Sequence, residues 1–430
     1  MDRLEFEIDP NEICEEEEQE TVLRDLRERR RWNFNRTLAF MFLMSALVGI
    51  TMRRGLKCRQ TGMCANKSTL KTHSDKSRGL SQIHAGFDGS EALGAKRSNV
   101  PFKDVDGTPK DPLRIFKDHG YNYSRLRVMV NPSGSYGLFQ DVEYVKEMAR
   151  EIVIQNEMKF LLDFHYSHWW ADPDNQRIPL EWREDEDQEE SHISLELLIQ
   201  NVYNHTKTIM EELIQQGTIP DAVQIGNEIN GGMLWEQGRI VDGDMENFVE
   251  LTNAAVQAMR DTFSSYGLED TAFPKIVMHL AAGGWTEFCE NWFTNFTQAG
   301  GEFDIIGLSY YPFWHGSLQD LSDNMKNLKD KFPDKSVWVV ESAYYWTETS
   351  TDVENLPFDQ TEEGQYAYLR ALLDVLKDYG HDTAVFYWGA HWTQAERWMN
   401  SEETLWEETE NRSLFDANAQ ALKGIDALIN

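Results

Sequence analysis

Cysteine is scarce. The 430 residues hold four, Cys14, Cys58, Cys64 and Cys289, and none has histidine neighbours at metal-site spacing, so a zinc cluster is excluded as an organising feature. Only Cys58 and Cys64 stand close enough to close a small disulfide loop in an oxidising compartment. Basic charge is also short, with 41 Lys and Arg against 73 Asp and Glu. The resulting formal charge of -32 repels phosphate and excludes nucleic acid as a natural partner. Part of that excess is local, in Glu15 to Glu18 with Glu20 and in "REDEDQEE" at 183–190, both read as solvated segments. No G-x-G-x-x-G follows the first strand-like run, which counts against dinucleotide binding. No run reaches the roughly 20 apolar residues of a full membrane span. Hydrophobic residues are not lacking. They make up 41% of the chain and aromatics 12%, so a packed domain is expected and disorder is not. Fourteen Trp and fifteen Tyr suit either a Trp-rich core or a carbohydrate-binding surface.

The most apolar segment is 37–52, "TLAFMFLMSALVGITM", sixteen residues without a charge between Arg36 and Arg53–Arg54. Snorkelling arginines would extend its reach. Arg24, Arg27, Arg29, Arg30, Arg31 and Arg36 precede it, and Arg53, Arg54, Lys57 and Arg59 follow. This bias places the N-terminus weakly in the cytoplasm. An uncleaved signal anchor is the preferred reading; a signal peptide with a long basic start and a buried helix are the others. The first two send the remainder into the secretory pathway or to the cell surface, as a type II membrane protein or a secreted one. The sequons Asn66, Asn122, Asn204, Asn295 and Asn411 are compatible with that location. The expected organisation is a tail at 1–36, an anchor at 37–52, a polar stem at 53–80 and a globular domain at 81–430.

From residue 81, β-like runs alternate with amphipathic stretches. The runs lie near 82–88, 123–130, 159–165, 222–228, 275–281, 303–311, 337–344 and 383–390, and helical patterns include 141–157, 194–216, 245–263 and 364–379. Most runs begin with near-continuous apolar residues, as strands buried on both faces do. Eight alternations predict an α/β fold, a (β/α)8 TIM barrel, with a doubly wound open sheet as the alternative. Each run is apolar at its start and polar or aromatic at its end: Arg125 and Arg127, Asp163 and His165, Asn227 and Glu228, His279, Tyr310 and Tyr311, Glu341, Trp388. In such barrels the C-terminal strand ends build the active site.

Glu228 closes the fourth run and Glu341 the seventh, positions that face each other across an eight-stranded barrel. A carboxylic acid and a carboxylate over one cleft suit glycosidic cleavage, provided their surroundings split the two pKa values. Arg125 and Arg127 share one face of the second strand. An arginine or tyrosine hydroxyl beside Glu341 would keep it ionised, which leaves Glu228 as the group with the raised pKa.

The segments "DPLRIFKDHG" (111–120), "RLRVMVNP" (125–132), "LLDFHYSHWWADPDNQ" (161–176), "VQIGNEINGGMLW" (223–235), "MHLA" (278–281), "FDIIGLSYYPFWHG" (303–316), "VVESAYYWT" (339–347) and "FYW" (386–388) resemble, in order, those of glycoside hydrolase family 53, the arabinogalactan endo-β-1,4-galactanases. The resemblance spans residues 81 to about 420. It implies a retaining endo-hydrolase of β-1,4-galactan, with Glu228 as acid/base and Glu341 as nucleophile. It further implies that Asn227 holds the sugar 2-hydroxyl, that Arg125 orients and ionises Glu341 with Tyr311 nearby, and that His165, His279 and Trp388 line the central subsites. Arg127 and Asp163, read from the strand ends, are further candidate substrate-binding residues. No cofactor is implied. Some members of the family carry a loop-bound calcium, but no clear ligand cluster is present here and no metal is expected. The sequence departs from the family at His168 (usually Asp), Gly389 (usually Glu), Glu236 and Tyr345 (usually Pro) and Ser342 (usually Thr), which bears on subsite contacts and on the polymer preferred. A related β-glycanase of shifted specificity and a non-catalytic glycan-binding barrel are the alternatives.

Overall fold

The computed structural model describes residues 83–134, 137–183, 193–349, 356–393 and 411–429. The tail, anchor and stem expected over residues 1–80, the Cys58–Cys64 loop, and all but the first residue of the acidic run 183–190 lie outside the described residues. Among those that are described, no helix is long and apolar enough to cross a membrane.

Eight strands close on themselves in sequence order: β1 (Ile83–Asp88), β2 (Tyr123–Val128), β3 (Lys159–Phe164), β4 (Ala222–Ile225), β5 (Lys275–Leu280), β6 (Ile305–Ser309), β7 (Ser336–Ser342) and β8 (Thr383–Tyr387). All neighbouring pairs are parallel, and β1 pairs with β8 to seal the ring. This is the expected (β/α)8 barrel rather than an open sheet.

Local chemistry sets where the helices begin. Asp111, Asp141, Ser194 and Thr361 each accept a backbone N–H of the first turn of the helix that follows, and Ser317 with Asp320 forms a reciprocal capping box. Such caps satisfy donors the helix itself cannot. Helices at Leu195–Gln215, Glu246–Ser265 and Glu362–Tyr379 match the periodic stretches of the sequence. The stretch 141–157 divides into an α-helix, Val142–Ala149, and a wider π turn, Arg150–Gln155.

Period-2 alternation sorts the strand residues onto two faces. Leu126, Val128, Phe160, Leu162, Phe164, Val223, Ile225, Ile306 and Leu308 belong to the large core shared with the helices. Tyr123, Leu161, Ala222, Val277, Ile305, Trp338, Val340, Ala384 and Phe386 form a separate cluster that fills the barrel. The lower interior is therefore a plug of side chains. Gly86 is part of how it fits, because a Cβ there would lie 2.5 Å from the Phe386 ring. A third cluster, Met129, Leu138, Trp170 and Trp392 with Trp169 and Trp388 against it, caps the rim.

Candidate active site

Further along β2 to β6 the inward face turns from apolar to polar. Tyr123 gives way to Arg125 and Arg127, Leu161 to Asp163, Ala222 to Gln224, Val277 to His279, and Ile305 to Ser309 after Gly307. The β2–β3 pairing sets Arg127 beside Asp163, and the β3–β4 pairing sets Asp163 beside Gln224. A polar layer thus lies directly on the apolar plug.

Arg125 is its centre. The residue has no solvent exposure, and its guanidinium reaches Asp88 at 2.8 Å, Asp163 at 2.8 Å, Glu341 at 2.9 Å and the Asn227 side-chain oxygen at 2.8 Å. The planar fork donates to Asp88 and Asn227, while its charge lies within ion-pair distance of Asp163 and Glu341. Burial would raise the Asp88 carboxyl, but Arg127 and Arg125 outweigh it and hold Asp88 below its ordinary value. Arg127 pairs with Asp88 and Glu91 and lies over the Trp170 ring, 4.6 Å from its centre. It forms no ion pair with Glu341 or Glu228 among the described residues, so of the two arginines only Arg125 holds a rim carboxylate.

Glu341 reaches the interior through an irregularity. Pairing of β6 with β7 runs Leu308 to Val339 and then Ser309 to Glu341, so Val340 is an extra residue. Simple alternation from Trp338 and Val340 would send Glu341 outward. The bulge turns it back toward Arg125, a common use of bulges near active sites. Its other oxygen accepts the Tyr311 hydroxyl at 3.2 Å. Burial raises the Glu341 pKa and Arg125 opposes the rise.

Glu228 is placed by a backbone that leaves the strand abruptly. Gly226 has φ 77° and Glu228 itself φ 48°, and a Cβ on Gly226 would lie 2.6 Å from Ile229. The glycine is therefore required by both conformation and space. Ser309 donates to a Glu228 carboxylate oxygen at 2.7 Å. Unlike Glu341, Glu228 has no cationic partner among the described residues. Burial, and next the charge of Glu341, raise its pKa well above the ordinary carboxylate value, against the hydrogen bond from Ser309.

His279 knits this layer together. Its Nδ1 faces the backbone N–H of Glu228 at 3.3 Å and the Gln224 amide at 3.1 Å, and its Nε2 lies 2.8 Å from the Ser309 hydroxyl. Burial depresses its pKa well below the usual value, so the ring is neutral. With Nδ1 accepting, Nε2–H donates to Ser309, which donates in turn to Glu228. His165 stands 3.1 Å from Asp163, and burial lowers its pKa as well. Asn227 is fixed by donating to the Ala171 carbonyl at 2.8 Å. Trp388 stands apart from the charged layer, 4.8 Å from the Trp392 ring centre to centre.

Of the residues singled out in the sequence, Arg125, Arg127, Asp163, Asn227, His165, His279, Tyr311, Glu228 and Glu341 form one connected network. Asp88, Glu91, Gln224 and Ser309 belong to it equally and were passed over. Asp88 carries the same signal as the others, a charged residue at a strand end; Gln224 and Ser309 are small polar interruptions that pattern reading ignores.

A closed parallel barrel with a charged layer, two rim carboxylates in unlike surroundings and a cluster of tryptophans at the rim is the construction of the (β/α)8 glycoside hydrolases. The model of glycosyl hydrolase family 53 matches residues 84–428, and the chain belongs to that family. A probable arabinogalactan endo-β-1,4-galactanase A of Neosartorya fischeri is 31% identical over 346 residues, 76% of this chain and 88% of its own. An arabinogalactan endo-β-1,4-galactanase of Humicola insolens is 31% identical over 326 residues, 72% of this chain and 90% of its own. Among solved structures, the family 53 catalytic domain of Ignisphaera aggregans superposes with a TM-score of 0.69 at 31% identity, covering 80% of this chain and 95% of that one. A fungal β-1,4-galactanase gives 0.67 at 26%, with 80% and 98% covered.

Proposed function

We propose that this glycosidase cleaves internal β-1,4-galactosidic bonds of (arabino)galactan with retention of configuration. Glu228 protonates the departing oxygen while Glu341 attacks the anomeric carbon. Glu228, then ionised, activates the water that releases the glycosyl group from Glu341. The observation that carries this division of labour is the unequal treatment of the two acids. Arg125 is bound to Glu341, whereas Glu228 meets only the neutral Ser309 hydroxyl. A single proton shared by the pair therefore rests on Glu228, leaving Glu341 ionised. Tyr311 orients the nucleophile, and Asn227, held by Ala171 and Arg125, presents its amide to the sugar 2-hydroxyl. The identities of the curated relatives supply the substrate class.

Release of reducing sugar from pectic β-1,4-galactan tests the reading. Wild type should release short galacto-oligosaccharides and Glu341→Ala none. A folded wild-type protein that releases nothing from any β-glycan would leave a glycan-binding barrel in its place.

The uncharged segment 37–52, bounded by arginines, supports attachment of the enzyme to a membrane with the barrel on the lumenal or extracellular side. Alkaline carbonate extraction of the full chain should leave it in the membrane pellet. Release into the supernatant would favour the secreted form.

A further inference from the structure

Arg412 lies beyond the last strand, in the segment that closes the chain. Its backbone is held firmly: its carbonyl accepts the Tyr387 hydroxyl at 2.5 Å, the Asn411 carbonyl accepts the Trp346 N–H, and the Leu414 N–H donates to Ala390. The side chain is 5% exposed. Five aromatic rings surround its guanidinium carbon, Trp388 at 5.4 Å, Tyr345 at 5.6 Å, Tyr311 and Phe313 at 5.9 Å and Trp314 at 6.0 Å from their centres.

Among the described residues no acid shares this enclosure. Nε of Arg412 is buried without a hydrogen-bond partner, and among the described residues no carboxylate pairs with the guanidinium. An arginine stays charged under all physiological conditions. Ring faces attract a cation but do not replace a counter-ion and its hydrogen bonds. The contrast with Arg125 and Arg127 is plain, since each of those meets carboxylates. The chain carries 73 acidic residues, yet none of those described is set against this buried cation.

The enclosure adjoins the reaction centre. Tyr311, one of its walls, donates to Glu341, and Trp388, another, is the aromatic that the family resemblance assigns to a central subsite. An anion reaching Arg412 therefore arrives as a substituent of the sugar bound there. We propose that Arg412 is a specificity-determining residue that receives an anionic group on the glycan, a uronate carboxylate or a sulphate ester, so that the preferred substrate is an acidic galactan. This deepens the galactanase reading and rests on it. A guanidinium fork matches either oxyanion through paired N–H donors.

The test compares β-1,4-galacto-oligosaccharides of equal length that are neutral, carry one uronate, or carry one sulphate ester. Binding is measured by calorimetry to Glu228→Gln, which retains the cleft with turnover slowed, and to the same protein with Arg412→Gln. Charge-assisted recognition by one arginine predicts roughly tenfold to a hundredfold tighter binding of an anionic ligand than of the neutral one. The preference should weaken with salt and disappear in Arg412→Gln. Whichever of the uronate and the sulphate is preferred identifies the source of the anion. Equal affinity for all three ligands, or a preference that survives Arg412→Gln, overturns the proposal. Wild-type hydrolysis of neutral β-1,4-galactan, assayed in parallel, keeps the two readings separable: turnover with no Arg412-dependent preference refutes only the role of Arg412, and no turnover of neutral or acidic galactan refutes the galactanase reading itself.

Discussion

Replacing Arg125 with methionine keeps most of the side-chain volume and removes the charge. Asp88 and Asn227 then lose a hydrogen-bond donor, and Asp163 and Glu341 lose the cation with which they form ion pairs. Asp88 retains Arg127 at 3.5 Å and Asn227 is neutral, so the burden falls on Asp163 and Glu341. Both are buried, at 0% and 6% exposure, and solvent screening relieves little. Removing one partner of a buried ion pair costs about 3–5 kcal/mol. Two carboxylates are stranded here, but each can take up a proton, which holds the total nearer one such penalty than two. Urea denaturation near neutral pH should therefore show Arg125→Met less stable by about 3–5 kcal/mol. Below about pH 4 the carboxylates of the unfolded chain are protonated too, and the deficit should shrink. Activity gives a second readout. Arg125 opposes the burial that raises the Glu341 pKa, so without it that pKa rises further and the acidic limb of kcat/KM moves to higher pH. Arg125→Lys, with a charge but no fork, should fall between. A methionine variant within about 1 kcal/mol of wild type, with an unmoved acidic limb, would refute the assignment of Arg125 as the counter-ion of the floor.

Glu228→Gln should slow hydrolysis of galactan by about 10²–10⁴-fold. With aryl galactosides whose leaving groups need no proton it should spare formation of the glycosyl-enzyme but slow its hydrolysis, so that steady-state kinetics show kcat/KM held and kcat lowered. The same substitution should stabilise the fold near neutrality. The Glu228 pKa is raised in the folded state, so its contribution is fully present below the unfolded carboxylate value of about 4.3 and is lost as pH rises through the folded value. The melting-temperature gain of Glu228→Gln should thus grow from about pH 4 upward, and a gain that instead shrinks with rising pH would contradict the raised pKa. Gly226→Ala places a Cβ 2.6 Å from Ile229 at φ 77°; it should cost about 1–3 kcal/mol in urea denaturation and lower kcat by displacing Glu228. Wild-type stability and kcat in that variant would show that the β4 exit tolerates a side chain.

The barrel was legible because its strands are buried on both faces and end in polar residues, a pattern that Arg125, Asp163, His279 and Trp388 each display. Glu228 and Glu341 were legible as residues, not as orientations. Period-2 reading points Glu341 away from the cleft, and only the bulge at Val340 corrects it. At β4 period-2 reading does carry Glu228 inward, but the left-handed backbone at Gly226 and Glu228 breaks the alternation there, and no periodicity encodes either feature. Ser309 and Gln224 were missed because a serine or glutamine within a strand carries no signal until its partners are known. Arg412 was missed for a different reason: a charged residue in a terminal segment reads as solvated, and its enclosure by rings from three separate chain segments exists only in the fold.

The central claim is that Glu341 attacks the sugar while Glu228 holds the proton. A 2-deoxy-2-fluoro-β-galactosyl substrate with a good leaving group should arrest the reaction at the covalent intermediate. Mass spectrometry of the digested protein should then find one added fluorogalactosyl group, carried by the peptide that contains Glu341. Labelling at Glu228, or full turnover of a slow substrate with inverted configuration and no adduct, would contradict the account.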